Sequence, residues 1–208
     1  MADASTVHLL QEDEIDAVIV MLTRTFWSSP VVELLSPDLE QREEISRWLF
    51  GGAARSGLRD GEIWVAVGPD GALQGAAIWF LSEPVRPAAE PPVDSGPPDP
   101  PEILGPEGRA NLREVTRLTA ELHRQVAPDR HWYLGLLGVH PDHQGRGIAG
   151  RVLAPLLDRL DAERLPAYLE TGQPRNVSYY PRFGFEVGGE VTLPSSGMVF
   201  WGMRRDPR

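Results

Sequence analysis

Gly145 and Gly147 stand two residues apart, after the apolar run Tyr133-Leu134-Gly135-Leu136-Leu137-Gly138-Val139 and before Val152, Leu153, Leu156, Leu157 and Leu160. The first run reads as a buried strand and the second as one face of a helix. Pro141-Asp142 ends the strand. A helix begins with four N–H groups that lack an internal partner, and its dipole places roughly half a positive charge there. Glycines let an anion approach the backbone without meeting a Cβ. Gly145, Gly147 and the amides of Arg146, Ile148 and Ala149 therefore read as a phosphate nest, with the Arg146 and Arg151 side chains as added cations. A plain strand–helix turn is the alternative. No Lys-Ser or Lys-Thr follows, so this is no P-loop. Gly145-x-Gly147-x-x-Gly150 fits a dinucleotide fingerprint in spacing alone, with no βαβ unit before it and no ribose-binding acid after it.

The wording is more specific than the physics. Gln144-Gly145-Arg146-Gly147-Ile148-Ala149 resembles the pyrophosphate-binding motif of the GCN5-related N-acetyltransferase (GNAT) superfamily. Downstream, Leu169-Glu170-Thr171, Asn176 and Tyr180-Pro181-Arg182-Phe183-Gly184-Phe185 resemble a second block of the same family. Both blocks are closest in wording to the puromycin N-acetyltransferases, over roughly residues 130–205.

The resemblance implies acetyl-CoA as co-substrate and direct attack of an amine on the thioester; the residues themselves offer no metal constellation. It implies an α/β fold, a single domain with a mixed, mostly antiparallel sheet, helices on both faces and splayed central strands. The backbone of Leu137, Gly138 and Val139 would hold the pantetheine arm, and a backbone N–H there would stabilise the oxyanion. Gln144 to Gly150 would hold the pyrophosphate, and Asn176 would bond the arm; Asn176 also reads as a helix N-cap. Tyr180 would hydrogen-bond the departing sulfur, with Tyr179 as the competing candidate. Glu170 would take the amine proton, or else cap the following turn. Phe26 and Trp27 would wall the acceptor site, or serve as core aromatics. His140 and His143 read as structural hydrogen-bonders more readily than as a base. The acceptor would be a primary amine of a small molecule, with an antibiotic such as an aminonucleoside as the finer expectation. A protein or peptide amine, or a non-catalytic acyl-CoA sensor, are the alternatives.

Composition sets the bounds. The 208 residues contain no cysteine, which excludes disulfides, thiolate metal sites and a cysteine nucleophile. The five histidines show no ligand spacing. The formal net charge is −10, which argues against a nucleic-acid surface. All 20 basic residues are arginine. No leader and no apolar run near about 18 residues is visible, so a cytoplasmic protein without a membrane span is expected.

The supporting elements follow in order. Val7–Leu10 reads as a strand, and Glu12, Asp13 and Glu14 open a helix that ends near Phe26-Trp27. Ser36-Pro37 reads as the cap of a second helix, stopped at Gly51-Gly52. Two strands, 62–67 and 73–80, form a hairpin around Gly68-Pro69-Asp70-Gly71. The proline-rich stretch 84–106 reads as a loop insertion. A helix spans 107–126, the central strand and its helix follow, then a strand at 166–171, a short helix at 176–182 and a closing hairpin.

Overall fold

The computed structural model describes residues 5–84 and 100–208. Most of the proline-rich insertion, 85–99, lies outside the described residues. The strands are β1 (Thr6–Leu9), β2 (Gly61–Val67), β3 (Leu73–Ser82), β4 (His131–Val139), β5 (Ala167–Thr171), β6 (Glu186–Thr192) and β7 (Val199–Arg205). The helices are α1 (Ile15–Thr25), α2 (Pro30–Leu35), α3 (Leu39–Asp60), α4 (Gly105–Val126), α5 (Ile148–Glu163) and α6 (Pro174–Tyr179). One seven-stranded sheet runs β1-β2-β3-β4-β5-β7-β6. Every pairing is antiparallel except β4 with β5.

The two-residue period of the strands sorts the core. On β3, Ala76 and Ile78 face α1 and α3, while Ala77 and Trp79 face α5. On β5, Leu169 joins the α5 side and Tyr168 packs against Leu118 and Leu122 of α4. Helices thus cover both faces, and α5 is buried through Val152, Leu153, Leu156 and Leu160.

Three expectations change. The cap of α3 is Asp38, whose side chain accepts from Glu40 N; Ser36 Oγ instead bonds the Asp38 carbonyl. The helix does not stop at Gly51-Gly52 but runs to Asp60. A helical glycine costs roughly 1 kcal/mol against alanine, and here packing outweighs it. A Cβ on Gly57 would lie 2.6 Å from Ile78 Cγ2, so its absence lets α3 lie on β3. Third, residues 102–106 are not loop. Glu102–Leu104 form a 3-10 turn and α4 already starts at Gly105. The short α2 was not expected; Ser29 accepts from Val32 N as its cap, with Pro30 in the first turn.

Candidate active site

β4 and β5 pair only at Trp132–Ala167 and Tyr133–Tyr168, and then they part. β4 remains paired with β3 as far as Val139, with Gly135 as the extra residue of a bulge between Leu134 and Leu136. His140 N bonds Gln74 O, so residues 140, 138 and 136 spend their backbone groups on β3. By alternation, Leu137 and Val139 direct theirs into the gap. The Val139 carbonyl accepts from Gln144 Nε2 at 3.2 Å and Thr25 Oγ1 at 3.3 Å. The N–H groups of Leu137 and Val139 have no ladder partner on that side. Gly138 serves another purpose: a Cβ there would lie 2.7 Å from Leu22 of α1.

After β4 the chain makes a 3-10 turn, Pro141–His143, capped by His140 Nδ1, which accepts from Asp142 N. Gly145 and Gly147 follow with φ of 77° and 80°, and a Cβ on either would meet nothing within 4 Å. Gly147 caps α5 without a side-chain bond, so the first amides of α5 remain available. This turn borders a cavity of about 720 Å3. Arg24, Arg175 and Arg182 line it, as do His143, Gln144, Ile148 and Ala149. Arg146 instead bonds the Asp142 carbonyl at 3.0 Å, and Arg151 bonds Ser5. The arginines expected beside the nest are thus engaged elsewhere, and others take that place. Gly150 faces the Phe183 ring rather than the cavity.

Tyr180 is 7 % exposed and borders both this cavity and a second one. Burial pushes its hydroxyl well above the ordinary tyrosine range, with Tyr179 adding to the shift. Tyr179 borders only the first cavity, with the Arg182 guanidinium 4.4 Å from its ring centroid. Asn176 borders both cavities and donates to Thr171 Oγ1 at 2.9 Å. It does not cap α6; Gln173 holds that position.

The second cavity, about 430 Å3, lies on the α1–α4 side of the gap. Val32, Phe50, Phe80, Val115 and Phe200 give it apolar walls. Phe26 borders both cavities and stacks on Phe50 at 5.1 Å, whereas Trp27 borders only the first. Buried Arg42 donates to the Trp27, Ser36 and Pro37 carbonyls, tying together the segments that flank α2.

Glu170 is the carboxylate in the lining of this apolar cavity. Its side chain is 8 % exposed. Burial pushes its pKa up to about 7, against the pull of the Tyr133 and Tyr168 hydroxyls. It does not cap the turn after β5; Thr171 Oγ1 does, accepting from Gln173 N. Behind it, His123 Nδ1 lies 3.7 Å from Glu170 Oε1, and His123 Nε2 lies 2.6 Å from His131 Nε2. Sequence reading missed this histidine pair. The available signal was the helical spacing Val115, Thr119, His123, which carries the apolar face of α4 into a titratable residue.

Residues 108–185 match the acetyltransferase (GNAT) family. The fold agrees over nearly the whole chain. A Corynebacterium glutamicum protein described as histone acetyltransferase HPA2 and related acetyltransferase superposes with a TM-score of 0.69 at 20% identity, over 100% of this chain and 98% of its own. The chain has the GNAT fold. Arylalkylamine N-acetyltransferase 2 from Aedes aegypti gives 0.65 at 12% identity, covering 99% and 100%. The Drosophila melanogaster polyamine N-acetyltransferase, which forms N-acetylagmatine, gives 0.62 at 13%, covering 97% and 99%. An uncharacterized N-acetyltransferase of Schizosaccharomyces pombe is 39% identical over 65 residues, 31% of this chain. The match spans only about a quarter (26%) of that relative's length. The parting of β4 from β5 is the splay expected of the GNAT sheet. Among the described residues no cluster suited to a metal ion occurs, and no helix is long and apolar enough to cross a membrane.

Proposed function

We propose that this chain transfers the acetyl group of acetyl-CoA to the primary amine of a small molecule with an apolar or aromatic body. One observation carries the reading. Two cavities meet at the open edge of β4, one bordered by a glycine nest and arginines, the other apolar and holding a buried carboxylate.

The residues suit the co-substrate. Gly145 and Gly147 leave room for a pyrophosphate where a side chain would stand. The unpaired edge at Leu137 and Val139 offers strand-like bonds to pantetheine amides. An N–H on that edge is also suited to the charge that develops on the acetyl oxygen.

An amine must be neutral to attack. Glu170, poised near pH 7, takes a proton from the bound ammonium, breaking N–H and forming O–H. The amine then attacks the thioester carbonyl, and the C–S bond breaks. Tyr180 keeps its proton at neutral pH because burial disfavours the phenolate. It hydrogen-bonds the leaving sulfur and delivers a proton to it; the proton lost from the new amide nitrogen balances this. A thiol's reference pKa is roughly 1.5 units below a phenol's, so the thiolate also departs unaided and Tyr180 accelerates rather than enables the step.

The acceptor class follows from the walls. They are apolar, with one carboxylate, so they favour an amine with one charge and an apolar remainder over a polycation. An aminonucleoside antibiotic with an aromatic aminoacyl group belongs to that class, in keeping with the puromycin-enzyme wording of Gln144–Ala149 and Leu169–Thr171. The test is incubation with acetyl-CoA and, separately, puromycin, phenylethylamine and agmatine, with products read by mass spectrometry. Acetylated puromycin or phenylethylamine in excess over acetylagmatine is expected. Preference for agmatine would overturn the acceptor class.

A further inference from the structure

The protons of the histidine pair behind Glu170 are fixed by their partners. His131 Nδ1 lies 2.6 Å from the Asp129 carbonyl oxygen. A carbonyl only accepts, so this nitrogen carries a proton. A neutral imidazole has one N–H, which leaves His131 Nε2 bare. That nitrogen is 2.6 Å from His123 Nε2, so His123 must donate. The remaining nitrogen of His123, Nδ1, is then bare as well. It faces Glu170 Oε1, and an ionised carboxylate also offers only lone pairs. The two acceptors face each other at 3.7 Å, longer than a hydrogen bond, and a proton on Glu170 removes the repulsion between their lone pairs.

Both rings are held neutral by their surroundings. Burial, then His131 and Arg124, lower His123 to about 4. Burial and Arg204 lower His131, against the bond to the Asp129 carbonyl and the Asp129 charge. The other groups against His123 are Tyr168, stacked at 4.3 Å, and Tyr133, at 4.9 Å. Burial and Glu170 raise both hydroxyls above the ordinary tyrosine range, so they stay protonated.

We propose that, with Glu170 as the base, the proton taken from the amine rests on Glu170 Oε1, facing the bare Nδ1 of His123 at 3.7 Å. His131 and the Asp129 carbonyl fix the tautomer that makes His123 an acceptor. The ammonium N–H breaks, the Glu170 O–H forms and points at Nδ1, and no electrons change hands. His123 acts through Glu170 and is a positioning residue. Its neutral lone pair raises the proton affinity of the base without placing a positive charge beside the incoming ammonium.

The direct test is long-range proton–nitrogen NMR of the histidine-labelled full chain at pH 8. His123 is expected as the Nε2–H tautomer with a bare Nδ1; an Nδ1–H tautomer or an imidazolium overturns the proposal. The kinetic test is His123→Asn, whose amide can turn an N–H toward Glu170 and so favour the carboxylate. The acidic limb of kcat/KM should move to lower pH, with kcat on the plateau down about tenfold, less than the roughly 100-fold or more of losing a general base outright, since Glu170 itself remains. Both KM values should stay within about threefold if ground-state binding is untouched. An unmoved limb with unchanged kcat overturns the role of His123. Glu170→Gln separates the two claims. If it turns over like wild type, the base assignment fails; if it is inactive while His123→Asn behaves as wild type, only the role of His123 fails.

Discussion

Glu170 and Tyr180 reach the gap between β4 and β5 from opposite faces of the sheet. Glu170 lies on the Tyr168 face of β5, under α4, while Tyr180 packs with Leu169 under α5. The same force, burial, acts on both and gives opposite roles. It lifts a carboxyl to where it exchanges protons near neutrality and holds a phenol in its protonated, donating form. The proposed acid and the proposed base are thus separated by the sheet and meet only where the strands part.

The pH dependence follows from Glu170. Its ionised form is the proposed base, so kcat/KM should rise about tenfold per pH unit below about pH 7 and level off above it. A rate that falls as pH rises through 7 would assign the limb to another group.

The same shift has a cost in stability. The folded state holds the Glu170 proton more tightly than the unfolded chain, so this contribution is complete below about 4.5 and is lost as pH rises through about 7. About 2.5 units correspond to on the order of 3 kcal/mol. Glu170→Gln should therefore raise Tm at pH 8 while abolishing turnover. A lower Tm for this variant would show the carboxylate to be a stabilising group.

Tyr180→Phe should lower kcat by roughly 100-fold, the low end for a general acid, because the thiolate is an able leaving group. Acetyl-CoA affinity, measured by calorimetry, should be unchanged. An equal loss in Tyr179→Phe and none in Tyr180→Phe would move the acid to the neighbouring residue.

Gly147→Val places a β-branched residue at φ 80°, in space that is empty and faces the cavity. Left-handed backbone costs roughly 1–2 kcal/mol for such residues. Acetyl-CoA binding should weaken by at least about tenfold, the equivalent of about 1.4 kcal/mol. Unchanged affinity would remove the turn from the cofactor site.

Arg205 links stability to the site. It is buried, pairs with both carboxylate oxygens of Asp161 at 2.8 and 2.6 Å, and donates to the Phe183 carbonyl at 2.8 Å. It therefore holds the end of the 3-10 turn that begins at Tyr180. Asp161→Ala leaves a buried guanidinium without its counter-charge and should destabilise by about 3 kcal/mol. Denaturant unfolding measures it; a change under about 0.5 kcal/mol, usual for surface substitutions, would show the pair to be incidental.

Much of this was legible in the chain itself. The alternation of β3 and the apolar face of α5 placed the sheet and one layer, and Gly145 and Gly147 marked the nest because their conformation is local. Two kinds of feature were not legible. Local signals lost to packing at Gly51-Gly52, where tertiary contact carries α3 onward. The surroundings of Glu170 combine His123 from a helix, His131 and Tyr133 from β4, and Tyr168 from β5, and only the register of the sheet brings them together. The arginines bordering the nest, Arg24, Arg175 and Arg182, are likewise distant in sequence, and the adjacent Arg146 and Arg151 are drawn to other partners.

The central claim is transfer of acetyl to an amine, and free-thiol release from acetyl-CoA by the purified chain at pH 8 tests it most directly. Thiol release that depends on puromycin or an arylalkylamine, and that disappears in Glu170→Gln, is the predicted result. Acetyl-CoA binding without release on any primary amine of apolar body would contradict it.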